Sequence, residues 1–249
     1  MKRQGQIYNL DKKIVSIMGE MGRAFDGSYA EYALLPNEQI YPVDSQLPWS
    51  ELAAVPETYY TAFGSFKNLQ IKEGDSILVR AATSGVGLAF LKLVKAQFPQ
   101  NRVVGAVRSL AKKDLLQHQG FDEIILDEKG VLQTEEKFDK ILELVSPATL
   151  KNSFDHIQSA GIICNTGQLG GKWYVEEFDP IVEIKNNSFL TSFYSGNVSQ
   201  QLIDELFSYI DAYQINVSPQ RVFSLEQIPV AHSYIESQVG FGKMVVLND

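Results

Sequence analysis

Between Ser76 and Gln97 the chain reads SILVRAATSGVGLAFLKLVKAQ. Three apolar residues, Ile77, Leu78 and Val79, give way to small ones from Ala81 to Gly87, and these to apolar residues at helical spacing, Leu88, Leu91 and Val94. Strand, tight turn and helix is the unit this pattern predicts. The alternation continues downstream. Strands are predicted over 76–81, 102–107, 123–126, 138–143, 160–165 and 188–193, with helices over 86–98, 109–118 and 147–158 between them and one over 198–213 after the last. Short apolar strands separated by helices form βαβ units, and right-handed crossovers then place them in one parallel sheet covered on both faces. The predicted class is α/β with a doubly wound parallel sheet.

The flanks read differently. The first 55 residues look β-rich, with KIVSIMG, GSYAEYALLP and QIYPVD punctuated by Gly, Pro and Asn, and residues 57–69 look helical. Three short strands cannot enclose a core of their own. The tail, QRVFSLEQIPVAHSYIES followed by GKMVVLND, reads as strand, helix over 226–237, and strand, packing back on the first 55 residues.

Composition removes several functions. A formal charge of −8 lacks the basic footprint of a nucleic-acid or anionic-membrane surface. A small anion can still occupy a local basic pocket. The single cysteine, Cys164, allows no internal disulfide, so a reduced, cytoplasmic setting is expected, with no signal peptide and no membrane-spanning run. His118, His156 and His232 are far apart and Cys164 lies in the apolar run GIICNTG, so no zinc site is expected from this chain.

The small residues at the first bend have a chemical use. A helix N-terminus leaves amides unpaired and carries positive partial charge, which attracts a pyrophosphate when no side chain blocks the approach. The G-x-G-x-x-G pattern is absent: its three positions hold Ala82, Ser84 and Gly87, with a further glycine at Gly85. Small residues there also serve plain strand-to-helix packing. The end of the second strand is more specific. An acid at that point binds the adenosine ribose of NAD, whereas VVGAVRSLAKKDLL offers Arg108, Ser109, Lys112 and Lys113, with no acid before Asp114. Arginine and lysine suit a 2′-phosphate, so NADP(H) is expected, the alternative being that Lys112 and Lys113 belong to a solvated helix face.

With these residues in view the chain resembles the medium-chain dehydrogenase/reductase superfamily, in its zinc-independent quinone-oxidoreductase-like branch. The resemblance rests on DGSYAEYALLP (26–36), ELAAVPETYYTAFGSF (51–66), GDSILVRAATSGVG (74–87), AKKDLLQHQGFDEIILD (111–127), FDKILELV (138–145), AGIICNTGQLGG (160–171) and VAHSYIESQVGFGKMVVL (230–247). It implies a Rossmann-type sheet with a partial GroES-like β domain, divided as 1–56 for the remnant of that β domain, 57–195 for the NADP-binding domain, and 196–249 for the C-terminal helix and return. It also implies a cofactor site. Ser84, Gly85 and Val86 would cradle the pyrophosphate, and Arg108, Ser109 and Lys112 the 2′-phosphate. Thr61 would face the nicotinamide, Thr166, Gly167 and Gln168 would run under its ring, and Leu190, Thr191 and Ser192 match the next loop. Asp127 stands where some relatives place a tyrosine near the adenine, and a carboxylate is a poor stacking partner. The family's β domain begins well before the segment matched here, so the chain resembles a truncated member, and the strands at 14–43 are expected to lack pairing partners.

Other constellations carry less. Tyr8 and Lys12 have the Y-x-x-x-K spacing of short-chain dehydrogenases but precede the glycine turn, where that family places them after it. Glu143 ends a strand at an acidic position common in the superfamily, and a structural role serves it as well. Cys164 reads as a small buried hydrophobe, His232 as helix packing, and Tyr59 and Tyr60 as core residues or stacking partners beside a substrate. The expected function is an NADPH-dependent oxidoreductase that passes hydride to a quinone or an activated alkene or carbonyl, with a small-molecule electron acceptor, a homodimeric state, and no nucleic-acid or membrane partner. No catalytic residue is assigned. The alternatives are a nucleotide-binding module without turnover and, more remotely, a methyltransferase.

Overall fold

In the computed structural model, residues 12–237 and 240–248 are described, and the chain divides into two compact units. One comprises residues 61–194, and the other joins the segment up to residue 60 with the segment from 195 onward. In chain order the second unit opens with β1 (Ile14–Val15), β2 (Tyr41–Pro42), α1 (Trp49–Leu52) and the start of α2 (Thr58–Leu69).

The unit of residues 61–194 holds the predicted alternation. Its elements after α2 are β3 (Ile77–Arg80), α3 (Gly85–Gln97), β4 (Val103–Val107), α4 (Lys113–His118), β5 (Glu123–Glu128), β6 (Val131–Leu132), β7 (Phe138–Glu143), α5 (Leu150–Asp155), β8 (Ile157–Asn165), α6 (Pro180–Glu183) and β9 (Phe189–Ser192). Seven strands form one sheet in the order β6-β5-β4-β3-β7-β8-β9, parallel except where β5 meets β6. The chain winds outward from β3 through β4 to one edge and then from β7 through β8 to the other, so the switch point of this open α/β sheet lies between the neighbours β3 and β7. β3 and β4 are buried along their whole length, as expected of strands covered on both faces. One face packs Leu78, Val104, Ile125, Ile141 and Ile163 against Leu150 and Phe154 of α5. The predicted strands are all present, but two helices are shorter than predicted. The 109–118 segment starts with a tight turn over Leu110–Lys112 before α4, and the helix predicted over 147–158 is only α5, because the chain re-enters the sheet at Ile157.

The other unit continues with α7 (Gln200–Ala212), β10 (Arg221–Ser224), α8 (Ile228–Glu236) and β11 (Met244–Leu247). β10 and β11 pair in parallel, and Asn248 donates to the carbonyl of Ala30 at 2.9 Å. α7 buries Ile203, Leu206, Phe207 and Ile210 and is capped by Ser199. Tyr59 and Tyr60 are core residues: the Tyr60 hydroxyl donates to Asn197 O at 3.1 Å and accepts from Ser199 N at 2.9 Å. The β-rich front does not form as expected. Among the described residues of the front, β1 and β2 form one ladder and Met21 bridges Phe25 in isolation, while GSYAEYALLP joins no ladder because no described strand lies beside it to take its amides. Tyr29, Tyr32 and Leu34 are exposed as a result. His232, expected to pack inside, is instead an exposed partner of the Tyr29 hydroxyl at 2.9 Å. Tyr8 lies outside the described residues.

Candidate functional site

The bend after β3 is tight. Ala81 turns the chain at φ +60, a left-handed conformation that favours glycine, and Ala82 N reaches the Ala106 carbonyl at 3.1 Å. Ser84 then caps α3, its hydroxyl accepting from Gly87 N at 3.0 Å. A β carbon on Gly87 would stand 2.9 Å from the Ala81 carbonyl, so the helix start is pressed against the turn. With the Gly87 amide taken by Ser84, the amides of Gly85 and Val86 are those left at the helix mouth, and no bulky side chain precedes them.

β4 lies beside β3 in parallel, with Ala106 opposite Arg80, so the residues that follow each strand emerge at the same edge of the sheet. There Arg108 and Ser109 are exposed and Lys112 is half-buried. The Ser109 hydroxyl accepts from Ala111 N at 3.3 Å and starts the short turn into α4.

β7, β8 and β9 end together, Glu143 opposite Asn165 and Asn165 opposite Ser192. Thr166 follows β8 directly, and its hydroxyl lies 2.9 Å from that of Ser65. Ser65 donates to the Thr61 carbonyl one helical turn back at 2.8 Å, so Thr166 is the donor toward Ser65. The Cys164 sulfur sits 3.4 Å from the same Thr166 hydroxyl, and burial pushes its thiol up, which keeps the proton on sulfur. Asn68 donates to Ser192 O at 2.8 Å. Gly64 lies under the Phe193 ring, where any β carbon would come within 2.1 Å of the ring edge. The Oδ1 of Asn165 is buried without a hydrogen-bond partner at this junction, a polar atom still open to a ligand's donor.

The structure thus brings Thr61, Thr166, Gly167 and Gln168 to one end of the sheet through α2 and β8, and Ser84, Gly85, Val86, Arg108, Ser109 and Lys112 to the same carboxyl edge through β3 and β4. Leu190, Thr191 and Ser192 fall in the strand predicted over 188–193 and not in the loop to which the resemblance matched them. They lie within β9, paired to Ile163, Cys164 and Asn165, and the loop begins only at Phe193. Asp127 also differs, since it is not a carboxylate waiting beside an adenine. Its Oδ2 accepts from Arg80 Nη2 at 2.6 Å and from Nε at 3.1 Å, in a pair buried on both sides. Ser65, Asn68 and Arg80 escaped the sequence reading. Ser65 carried a signal, as a hydroxyl one turn beyond Thr61 on the same helix face; Arg80 carried none, because a charge ending a buried strand reads as a strand terminus.

Residues 119–246 match the family model described as zinc-binding dehydrogenase. Over 234 residues the chain is 24% identical to the quinone oxidoreductase of Sus scrofa, a stretch covering 89% of this chain and 69% of that protein. Over 245 residues it is 25% identical to the probable polyketide synthase 14 of Dictyostelium discoideum, covering 88% of this chain and only 8% of that much longer relative. Among solved structures, the Bacillus subtilis protein yhfP with NAD bound superposes with a TM-score of 0.81 at 21% identity over 96% of this chain and 76% of that one. The yhdH oxidoreductase from Salmonella enterica in complex with NADP does so with a TM-score of 0.78 at 15% identity over 94% of this chain and 74% of that one. The family's description implies zinc, and the residues described here do not fit it. No group of three or more His, Cys, Asp or Glu side chains gathers among the described residues, and the His118 and His156 rings are engaged with the carbonyls of Asp114 and Glu136. The small-residue turn, the switch-point sheet and the family match over residues 119–246 together assign the chain to the zinc-binding dehydrogenase family, as a quinone-oxidoreductase-like member of the medium-chain dehydrogenase/reductase superfamily.

Proposed function

We propose that the chain is an NADPH-dependent oxidoreductase that reduces a quinone or an activated alkene or carbonyl. The observation that carries this reading is the pairing of two neighbouring strand ends: the Ser84–Val86 helix mouth after β3, and Arg108, Ser109 and Lys112 after β4 with no carboxylate before Asp114. A guanidinium fork and a lysine ammonium match the geometry and charge of a 2′-phosphate, whereas the ribose of NADH asks for an acceptor that is missing here. The names of the related proteins, quinone oxidoreductases, and the NAD and NADP of the neighbouring structures support a nicotinamide cofactor and an acceptor of this class. When bound, the cofactor supplies hydride from its nicotinamide ring. The protein's part is binding and orientation: Ser84 to Val86 on the diphosphate, and Thr166 to Gln168 beside the ring. We assign no side chain as proton donor. The reading includes a homodimer, a cytoplasmic setting and no zinc requirement.

The decisive experiment is a fluorescence titration with NADPH and NADH, followed by NADPH consumption with a simple quinone. Tight NADPH and weak NADH are expected, with quinone-dependent oxidation; equal affinities would defeat the 2′-phosphate assignment. A second reading, a nucleotide-binding module without turnover, draws support from the exposed Tyr29, Tyr32 and Leu34 segment, which joins no sheet. Tight NADPH binding without oxidation by any quinone would favour it.

A further inference from the structure

Glu143 ends β7 with its side chain fully buried, and the turn built on it is stitched to the loop that follows β8. The carbonyl of Glu143 accepts from Thr166 N at 2.9 Å and Gly167 N at 3.2 Å, that of Leu144 from Leu169 N at 3.1 Å, and that of Val145 from Gly170 N at 2.9 Å. The two segments approach so closely that a β carbon on Gly167 would lie 2.5 Å from the Leu144 carbonyl, and one on Gly170 2.4 Å from that of Val145. What shapes residues 143–146 is the Glu143 side chain itself. One carboxylate oxygen accepts from Val145 N at 2.9 Å and Ser146 N at 3.1 Å. The other accepts from the Ser153 hydroxyl and lies 3.8 Å from Arg80 Nε. The group is fully buried, so both its charge and the amides it serves have no recourse to water.

We propose that Glu143 is a positioning residue for the nicotinamide end of the cofactor: it touches no ligand, and it folds the 143–146 turn into the template on which the Thr166–Gly170 loop is laid. This rests on the cofactor reading above. The adenosine end is held elsewhere, by the residues after β3 and β4. Disturbing Glu143 therefore separates the two ends of the same ligand.

The test uses the whole chain and two ligands, NADPH and adenosine 2′,5′-bisphosphate, which carries the 2′-phosphate but no nicotinamide. Glu143→Leu removes the acceptor of two buried amides while leaving Arg80 its Asp127 partner. It is expected to weaken NADPH about tenfold, the loss of a charge-assisted hydrogen bond, and adenosine 2′,5′-bisphosphate less than about twofold. Glu143→Gln keeps an acceptor for both amides and should bind NADPH as the wild type does. Without ligand, hydrogen exchange at the amides of Thr166, Gly167, Leu169 and Gly170 should quicken in Glu143→Leu and stay slow in Glu143→Gln, with Leu78 and Val79 of β3 unchanged in both. Gly170→Ala should reproduce the Glu143→Leu pattern by forcing the segments apart. Unchanged exchange in the loop, or equal loss of both ligands, overturns the proposal. If wild type binds neither ligand while the loop still loosens in Glu143→Leu, the cofactor reading fails and the nicotinamide role with it, leaving Glu143 as the organiser of the loop alone.

Discussion

Arg80 Nη2 donates to Asp127 Oδ2 at 2.6 Å across the full width of β4, joining the ends of two strands that are not neighbours in the sheet. The same guanidinium donates to the carbonyls of Thr149 and Gly130 and to the side chains of Asn152 and Ser153, so its donors are spent inside the protein. One cation therefore faces two buried carboxylates, Asp127 and Glu143. Breaking a buried pair by removing one partner costs about 3–5 kcal/mol. Arg80→Met strands both carboxylates, whereas Asp127→Ala leaves Arg80 with Glu143. Arg80→Met should therefore be the more destabilising of the two in urea unfolding, and equal losses would mean that Glu143 does not depend on this cation.

The two strand ends make a sharper prediction about cofactor choice. Arg108→Ala removes the fork proposed for the 2′-phosphate, and charge-assisted hydrogen bonds contribute about 1.5–3 kcal/mol, so NADPH should weaken by about ten- to a hundredfold while NADH is unaffected. Lys112→Ala should act in the same direction and more weakly, because an ammonium is a point charge without the fork. Titration of both cofactors against both variants checks this, and a parallel loss of NADH would move Arg108 away from the 2′-phosphate.

Ala81 and Gly87 predict opposite outcomes within one turn. Ala81 stands at φ +60, a conformation costing about 1–2 kcal/mol for a residue with a β carbon, part of which Ala81→Gly recovers against the greater freedom of glycine in the unfolded chain. A gain of up to about 1 kcal/mol is expected. Gly87→Ala drives a methyl to 2.9 Å from the Ala81 carbonyl and should cost about 1–3 kcal/mol, with weaker NADPH binding as the helix mouth shifts. Thermal unfolding of the two variants should bracket the wild type.

Alkaline pH should destabilise the fold through groups that burial keeps protonated. Burial pushes the Cys164 thiol up, and does the same to the phenols of Tyr59 and, with Tyr213 adding to it, Tyr209. The unfolded chain releases these protons in the ordinary thiol and phenol ranges and the folded chain only above them. Their contribution is thus complete at neutral pH and is lost as pH rises, by up to about 1.4 kcal/mol per pH unit for each group. In urea titrations at several pH values, the stability gap between wild type and Cys164→Ala should narrow above about pH 8.5, where the unfolded thiol ionises. Parallel curves would show that the thiol does not titrate differently in the two states.

What the sequence made legible follows from range. The alternation after Ser76 is written in residues within a few positions of one another and was readable without any tertiary contact, whereas the cap that Ser84 places on α3 went unread although its signal is just as local. The place of Arg108 and Ser109 just past β4 was readable too, because a strand end fixes where the next residues emerge. The Arg80 to Asp127 pair spans 47 positions, and the Ser65 to Thr166 contact 101, so neither leaves a local trace. The front was misread for the converse reason. GSYAEYALLP has the composition of a strand, and strand character becomes structure only when a neighbour takes the amides.

β9 is one of the two edge strands of the seven-stranded sheet. An edge strand presents a row of unpaired amides and carbonyls and, unless blunted by charge or proline, templates another strand. Phe189 is 59% exposed and Leu190 36%, and the four residues of β9, FLTS, include neither a charge nor a proline. Two copies joined edge to edge here would extend the sheet across a two-fold axis and cover Phe189 in both. Phe189→Lys puts like charges opposite one another at that seam without touching the proposed cofactor residues. Sedimentation velocity at micromolar concentration should show a dimer for the wild type and a monomer for the variant, with NADPH affinity unchanged. A variant that stays dimeric places the seam elsewhere, and a monomeric wild type removes the homodimer from the proposed function.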